Sequence, residues 1–144
     1  MSDSYRKEQI KHAADVLFEA EARPKPTLGI DLDGCVDESP DFFHLLTTFW
    51  PGDVIVVTYR SDREKAIADL EKYRIRYTEV ILVKSFDAKA EVIAEKNIRC
   101  YIDDQPEMLK NVAANTAVML FRNEGNFDFE DRKWMFSDET GKKV

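Results

Sequence analysis

The chain has 144 residues, 44% of them hydrophobic and 34% charged, enough apolar sequence for one compact domain with its own core. A formal net charge of −7 argues against nucleic acid as the main partner, because proteins that bind long polyanions carry a basic stripe. It leaves room for a small phosphorylated ligand, since one bound cation reverses the field within a pocket.

The opening residues mix charge along their length and lack the unbroken apolar stretch of a signal peptide. No segment approaches the roughly 20 apolar residues of a membrane helix. Cys35 and Cys100 show neither CxxC nor metal-ligand spacing. A soluble cytoplasmic protein with reduced thiols and no membrane partner is therefore expected.

In chain order, a helix is predicted over about Tyr5–Ala22, with Ile10, Ala13, Ala14, Leu17 and Phe18 on one side. Docking of that side on the sheet is expected, in preference to docking on a second subunit. After Pro24–Pro26 the first β-type run, Thr27–Leu32, leads into Asp31-Leu32-Asp33-Gly34. Ser39-Pro40-Asp41 opens a helix carrying Phe42, Phe43, Leu45, Leu46 and Phe49, which stops at Pro51-Gly52. The second run, Asp53–Thr58, ends in Thr58-Tyr59-Arg60. Ser61-x-x-Glu64 reads as a capping box for a helix burying Ala66, Ile67, Leu70 and Tyr73. The third run is Val80–Lys84, followed by a helix capped by Asp87 that holds Lys89, Ala90, Val92 and Ile93. The fourth, Cys100–Asp103, ends in Asp103-Asp104, and Pro106 begins a helix with Leu109 and Val112. The fifth is Ala117–Phe121.

These runs lack strict alternation, as expected of parallel strands covered on both faces. Alternating strands and helices predict an α/β fold: a doubly wound, five-stranded parallel sheet with helices on both faces. One domain is expected over 1–144, made of a helix (1–24), a core (27–122) and a polar, aromatic tail (123–144). The tail is either a surface wrap or partly disordered, with Trp134 and Phe136 favouring contact.

In this architecture ligands bind at the carboxyl ends of the strands. Extended backbone sends Asp31 and Asp33 the same way, and Gly34 allows a sharp turn behind them. Asp31, Asp33, Thr58, Asp103, Asp104 and Lys89 could then converge, because neighbouring strand ends lie about 5 Å apart. Gathered carboxylates repel one another unless a cation is present, and a hard divalent ion such as Mg²⁺ suits oxygen ligands plus a phosphate. Lys84 is the alternative lysine, although its strand ends about 10 Å from the first.

The set and order of LGIDLDG, VIVVT, Lys89 and CYIDD resemble the haloacid dehalogenase-like (HAD) phosphatase superfamily over roughly Leu28 to Asp104. VVTYRSDREKAIADLEKYRI with YIDDQPEML is similar in style to its nucleotidase-like branch. The resemblance implies a Rossmann-like core and an aspartyl-phosphate mechanism. Asp31 would be the nucleophile and a Mg²⁺ ligand. Asp33 would be the general acid, then the base, and would bind metal through its carbonyl. Thr58 and Lys89 would hold the phosphoryl group, with Tyr59 and Arg60 near enough to touch substrate. Asp103 would ligate the metal directly, and Asp104 directly or through water. Cys35 departs from the threonine found in many members. Only short connections join the motifs, which implies no cap domain and an open site, left open or covered by the tail or by another subunit of a homo-oligomer.

The bland readings concern single residues. Arg60 reads as a solvated charge, Asp37 and Glu38 as a solvated loop, His12 and His44 as structural or solvent-facing, and Trp134 as a packing anchor. A receiver-type signalling domain fails on the order of its motifs. The competing functional reading is a regulatory module that binds Mg²⁺ and phosphate without turnover. A small phosphomonoester, a nucleoside monophosphate among them, is the expected substrate.

Overall fold

The computed structural model describes residues 2–20 and 23–134. Five strands, β1 (Thr27–Ile30), β2 (Val54–Thr58), β3 (Glu79–Leu82), β4 (Ile98–Asp103) and β5 (Ala117–Leu120), form one parallel sheet in the order β3-β2-β1-β4-β5. This is the doubly wound α/β architecture expected, and the direction of winding reverses between β1 and β4.

Residues alternate between two cores. On one face Leu28, Ile30, Val54, Val56, Val80 and Ile102 pack with Phe43 of α2 (Pro40–Phe49) and with Ala66 and Leu70 of α3 (Arg63–Lys72). On the other, Ile55, Val57, Ile98 and Tyr101 pack with Ile93 of α4 (Phe86–Glu95). Burial of such side chains contributes about 1.5–3 kcal/mol each and sets the strand register. Between β1 and β2 the chain makes only a turn, Leu32–Val36, in which Asp33 is extended and Gly34 left-handed, and α2. Among the described residues no cap is inserted there.

Several sequence expectations are corrected. α1 (Asp3–Ala20) packs against α2, and its apolar side stays largely in solvent, with Ile10 46% and Leu17 50% exposed. It does not dock on the sheet, because both faces of the central strands are already occupied by α2, α3 and α4. The cap of α3 is Asp62, which accepts from Lys65 N–H, rather than Ser61; that of α4 is Ser85, which accepts from Ala88 N–H, rather than Asp87. The helix at Pro106 is a single 3₁₀ turn, Pro106–Leu109. It is too short to cover β5, whose four residues are all exposed, contrary to the expectation of strands covered on both faces.

The described part of the tail turns back as a small antiparallel pair, β6 (Phe127–Asp128) and β7 (Lys133–Trp134). Phe136 and the side chain of Trp134 lie outside the described residues. No helix among the described residues is long and apolar enough to cross a membrane.

Candidate acidic site at the switch point

β1 and β4 diverge in their connections just where both end, the place where this architecture puts its ligands. Ile30 pairs with Ile102, and Asp31 N–H donates to the Ile102 carbonyl at 3.0 Å, so Asp31 and Asp103 leave the sheet side by side. Lys89, from the first turn of α4, reaches between them. Its Nζ donates to Asp31 Oδ1 at 2.9 Å and to Asp103 Oδ2 at 2.8 Å. The structure thus brings Lys89 to the site, while Lys84 points to solvent.

The rest of the network holds Asp103 firmly. Tyr101 Oη donates to Asp103 Oδ2 at 2.9 Å, and Gln105 N–H donates to Oδ1 at 3.0 Å. Tyr101 fits because Gly29 lies beneath it: a Cβ there would meet the ring at 2.6 Å. Asp104 differs. It is buried, its Oδ1 has no hydrogen-bond partner, and a ligand atom of Asp31, of Asp104 and of Cys35 all lie within 4.8 Å of one another.

Three buried carboxylates therefore face one ammonium, a formal excess of two negative charges. Burial, then repulsion from Asp103, raises Asp31 well above the usual carboxylate range, and Lys89 only partly offsets this. Burial likewise pushes Asp104 up to about 7. Burial alone would lower Lys89, but Asp31 and Asp103 outweigh it and hold the ammonium above its ordinary value. Burial and the neighbouring Asp31 raise the Cys35 thiol, which keeps it neutral and a poor partner for a hard ion. Oxygens from Asp31 and Asp104, one of them an orphan, are hard donors of the kind that could hold a divalent cation.

The turn after Asp31 is shaped for this closeness. Gly34 has φ +85°, and a Cβ on it would fall onto the Asp104 carboxylate. Gly34→Ala is therefore expected to destabilise the protein by about 1–3 kcal/mol, through the left-handed backbone and the displaced carboxylate. Urea unfolding would measure this, and a change below about 0.5 kcal/mol, the range of ordinary surface substitutions, would contradict it.

The structure does not bring the Asp33 side chain into the cluster. Arg60 Nε and Nη2 bind it as a fork, at 2.9 Å to Oδ2 and 2.7 Å to Oδ1, while Nη1 holds Asp69 at 2.6 Å. Arg60 is thus a half-buried bridge, its side chain 11% exposed, and not the solvated charge the sequence suggested. Bonds to Asp33 raise its already high pKa. Thr58 is fully buried at the tip of β2, and its Oγ1 accepts from Arg60 N–H at 3.3 Å. Tyr59 is 43% exposed at the rim.

Sequence reasoning missed the residues just after β5. Asn123 and Asn126 both donate their side-chain amides to the Gly34 carbonyl, at 3.2 and 3.1 Å, and Arg122 donates to the Asp104 carbonyl at 2.9 Å. The only hint was their place directly after a strand's carboxyl end. Asp37 also takes part, accepting from Gly34 N–H at 2.7 Å, so it is a turn brace and not a solvated charge. His44 is structural as expected, with Nδ1 at 2.7 Å from the Arg74 carbonyl.

No family model matches the chain, and no curated protein matches it. Among solved structures, a universal stress protein in complex with cAMP matches with a TM-score of 0.44 and 9% identity, covering 67% of this chain and 97% of that chain.

Proposed function

We propose that this chain is a magnesium-dependent phosphomonoester hydrolase of the HAD-like kind, with Asp31 as its nucleophile. The observation that carries the reading is the orphaned Asp104 oxygen beside Asp31, in a buried cluster of three carboxyl groups around one ammonium. Asp31 and Asp104 would hold Mg²⁺, which when bound would neutralise the cluster and the phosphate oxygens.

The chain's own residues supply the rest. Leu32 N–H and Lys89 both grip Asp31 Oδ1, which assigns the attack to Oδ2. The new bond joins Oδ2 to phosphorus, the ester P–O bond breaks, and the leaving oxygen takes up a proton. Thr58 and Lys89 donate to the phosphoryl oxygens. An incoming phosphate dianion competes with Asp33 for Arg60. Release from that fork frees the Asp33 carboxyl to carry a proton to the leaving group and later to take one from water. Asp103 positions Lys89.

The second reading, a module that binds Mg²⁺ and phosphate without turnover, draws on two observations: the Asp31 side chain is only 7% exposed, and Asp33 is locked to Arg60. Phosphate release from a panel of phosphate esters with Mg²⁺ separates the two. Turnover supports the hydrolase; phosphate binding with no turnover on any ester supports the module.

Cation binding has its own readout. Asp104, raised to about 7, binds its proton more tightly in the folded than in the unfolded state. Its contribution is therefore fully present below the unfolded value near 4 and is lost as pH rises through about 7. Millimolar Mg²⁺ is expected to raise the Tm at pH 7.5 by a few degrees, as each ~1 kcal/mol of linkage moves it by about 3–4 °C. The rise should be smaller at pH 5, where Asp104 already holds its proton. A Tm indifferent to Mg²⁺ at both pH values would remove the cation from the proposal.

A further inference from the structure

We infer that Tyr59 and Phe86 form a stacking platform at the mouth of this site, for phosphate esters whose leaving group presents a flat apolar face. The inference rests on reading the site as one for phosphate esters and adds the class of leaving group.

Placement is the first argument. Tyr59 follows the buried Thr58 and precedes Arg60, whose guanidinium holds Asp33. Phe86 opens α4, one helical turn before Lys89, whose ammonium holds Asp31. The two rings therefore hang from the same two elements that bring Thr58 and Lys89 to the acidic cluster.

Exposure is the second. Tyr59 is 43% and Phe86 44% exposed, and their ring centroids lie 5.4 Å apart with planes at 58°. α4 meets the sheet through Ala88, Val92 and Ile93, and gives Phe86 no place in that core. Leaving two large aromatics in water forgoes burial that most such side chains obtain. As a tilted pair they offer apolar surface to a third ring, by stacking or edge-to-face contact. An open-chain polyol phosphate gains little from such a surface; a nucleobase or simple aryl group gains the contact.

The test uses substrate pairs with matched leaving oxygens. Adenosine 5′-monophosphate against ribose 5-phosphate isolates the nucleobase; benzyl phosphate against cyclohexylmethyl phosphate isolates flatness at nearly constant size. The full chain with Mg²⁺ is expected to favour the aromatic member by about tenfold in kcat/KM, the size of one base–aromatic stack. That ratio should collapse towards one in Tyr59→Ala/Phe86→Ala. Preference in both pairs supports a general flat-face site, and preference in the nucleotide pair alone assigns it to nucleobases. Equal kcat/KM within both pairs, or a ratio untouched by the double substitution, overturns the inference while the hydrolase reading stands.

If no ester is turned over, the hydrolase reading fails separately. Calorimetric Kd values for the same pairs then decide the platform, tighter binding of the aromatic members supporting it and equal Kd values overturning it.

Discussion

Asp31→Asn is expected to lower kcat for any ester the protein hydrolyses by at least about 10³-fold, the scale on which loss of a nucleophile acts. Asparagine has nearly the same shape, and its carbonyl oxygen can still accept from Leu32 N–H and Lys89, so the turn and α4 keep their anchor. What disappears is an oxygen able to form an acyl phosphate. The stability change runs the other way. Burial and Asp103 raise the folded-state pKa of Asp31, so its ionisation works against the fold as pH climbs above the unfolded value near 4. Removing that charge should leave the metal-free variant at least as stable as the parent at pH 7.5, with a smaller Mg²⁺-induced rise in Tm. Steady-state kinetics and thermal unfolding of the same sample give both numbers. Turnover above about a tenth of the parent's would exclude Asp31 as nucleophile, since general electrostatic damage alone accounts for so modest a loss.

The fold was legible because parallel strands read as short apolar runs, and β1 to β5 each have one, the exposed β5 included. The polar ends of those runs marked Asp31, Thr58 and Asp103, whose positions follow from register. Lys89 was separable from Lys84 because a helix beginning after β3 returns over β4, whereas Lys84 follows a strand one place further from β1. What stayed hidden depends on long-range partners. Arg60 looked solvated because its acceptors lie 27 residues back at Asp33 and 9 forward at Asp69, with no periodic signal joining them. Asn123 and Asn126 sit in a polar stretch that reads as a turn, and their target, the Gly34 carbonyl, lies about ninety residues away. For α1, periodicity identified an apolar side but could not say whether anything covers it. Asp103 and Asp104 are adjacent carboxylates, and only the three-dimensional network tells them apart: Asp103 is saturated by Lys89, Tyr101 and Gln105, while Asp104 keeps an unpartnered oxygen.

Lys89→Met should produce the largest loss of stability of any single substitution at the site, about 3–5 kcal/mol, the cost of leaving buried charge without its partner. The ammonium is 1% exposed and forms two ion pairs below 3 Å, so neither solvent nor another cation replaces it. Methionine fills most of the volume, which confines the loss to electrostatics and hydrogen bonding. Asp31 and Asp103 would then repel each other beside the Tyr101 hydroxyl with nothing positive between them. Protonation relieves that repulsion, so the deficit measured by urea unfolding should be larger at pH 7.5 than at pH 5. Adding Asp103→Asn to Lys89→Met should recover part of it, since the second change removes one of the stranded charges. Lys84→Met, at an exposed position just after β3, should stay within about 0.5 kcal/mol of the parent. Equal deficits for Lys84→Met and Lys89→Met, or a Lys89→Met deficit that ignores pH, would show that the acidic cluster does not depend on this lysine for its charge balance.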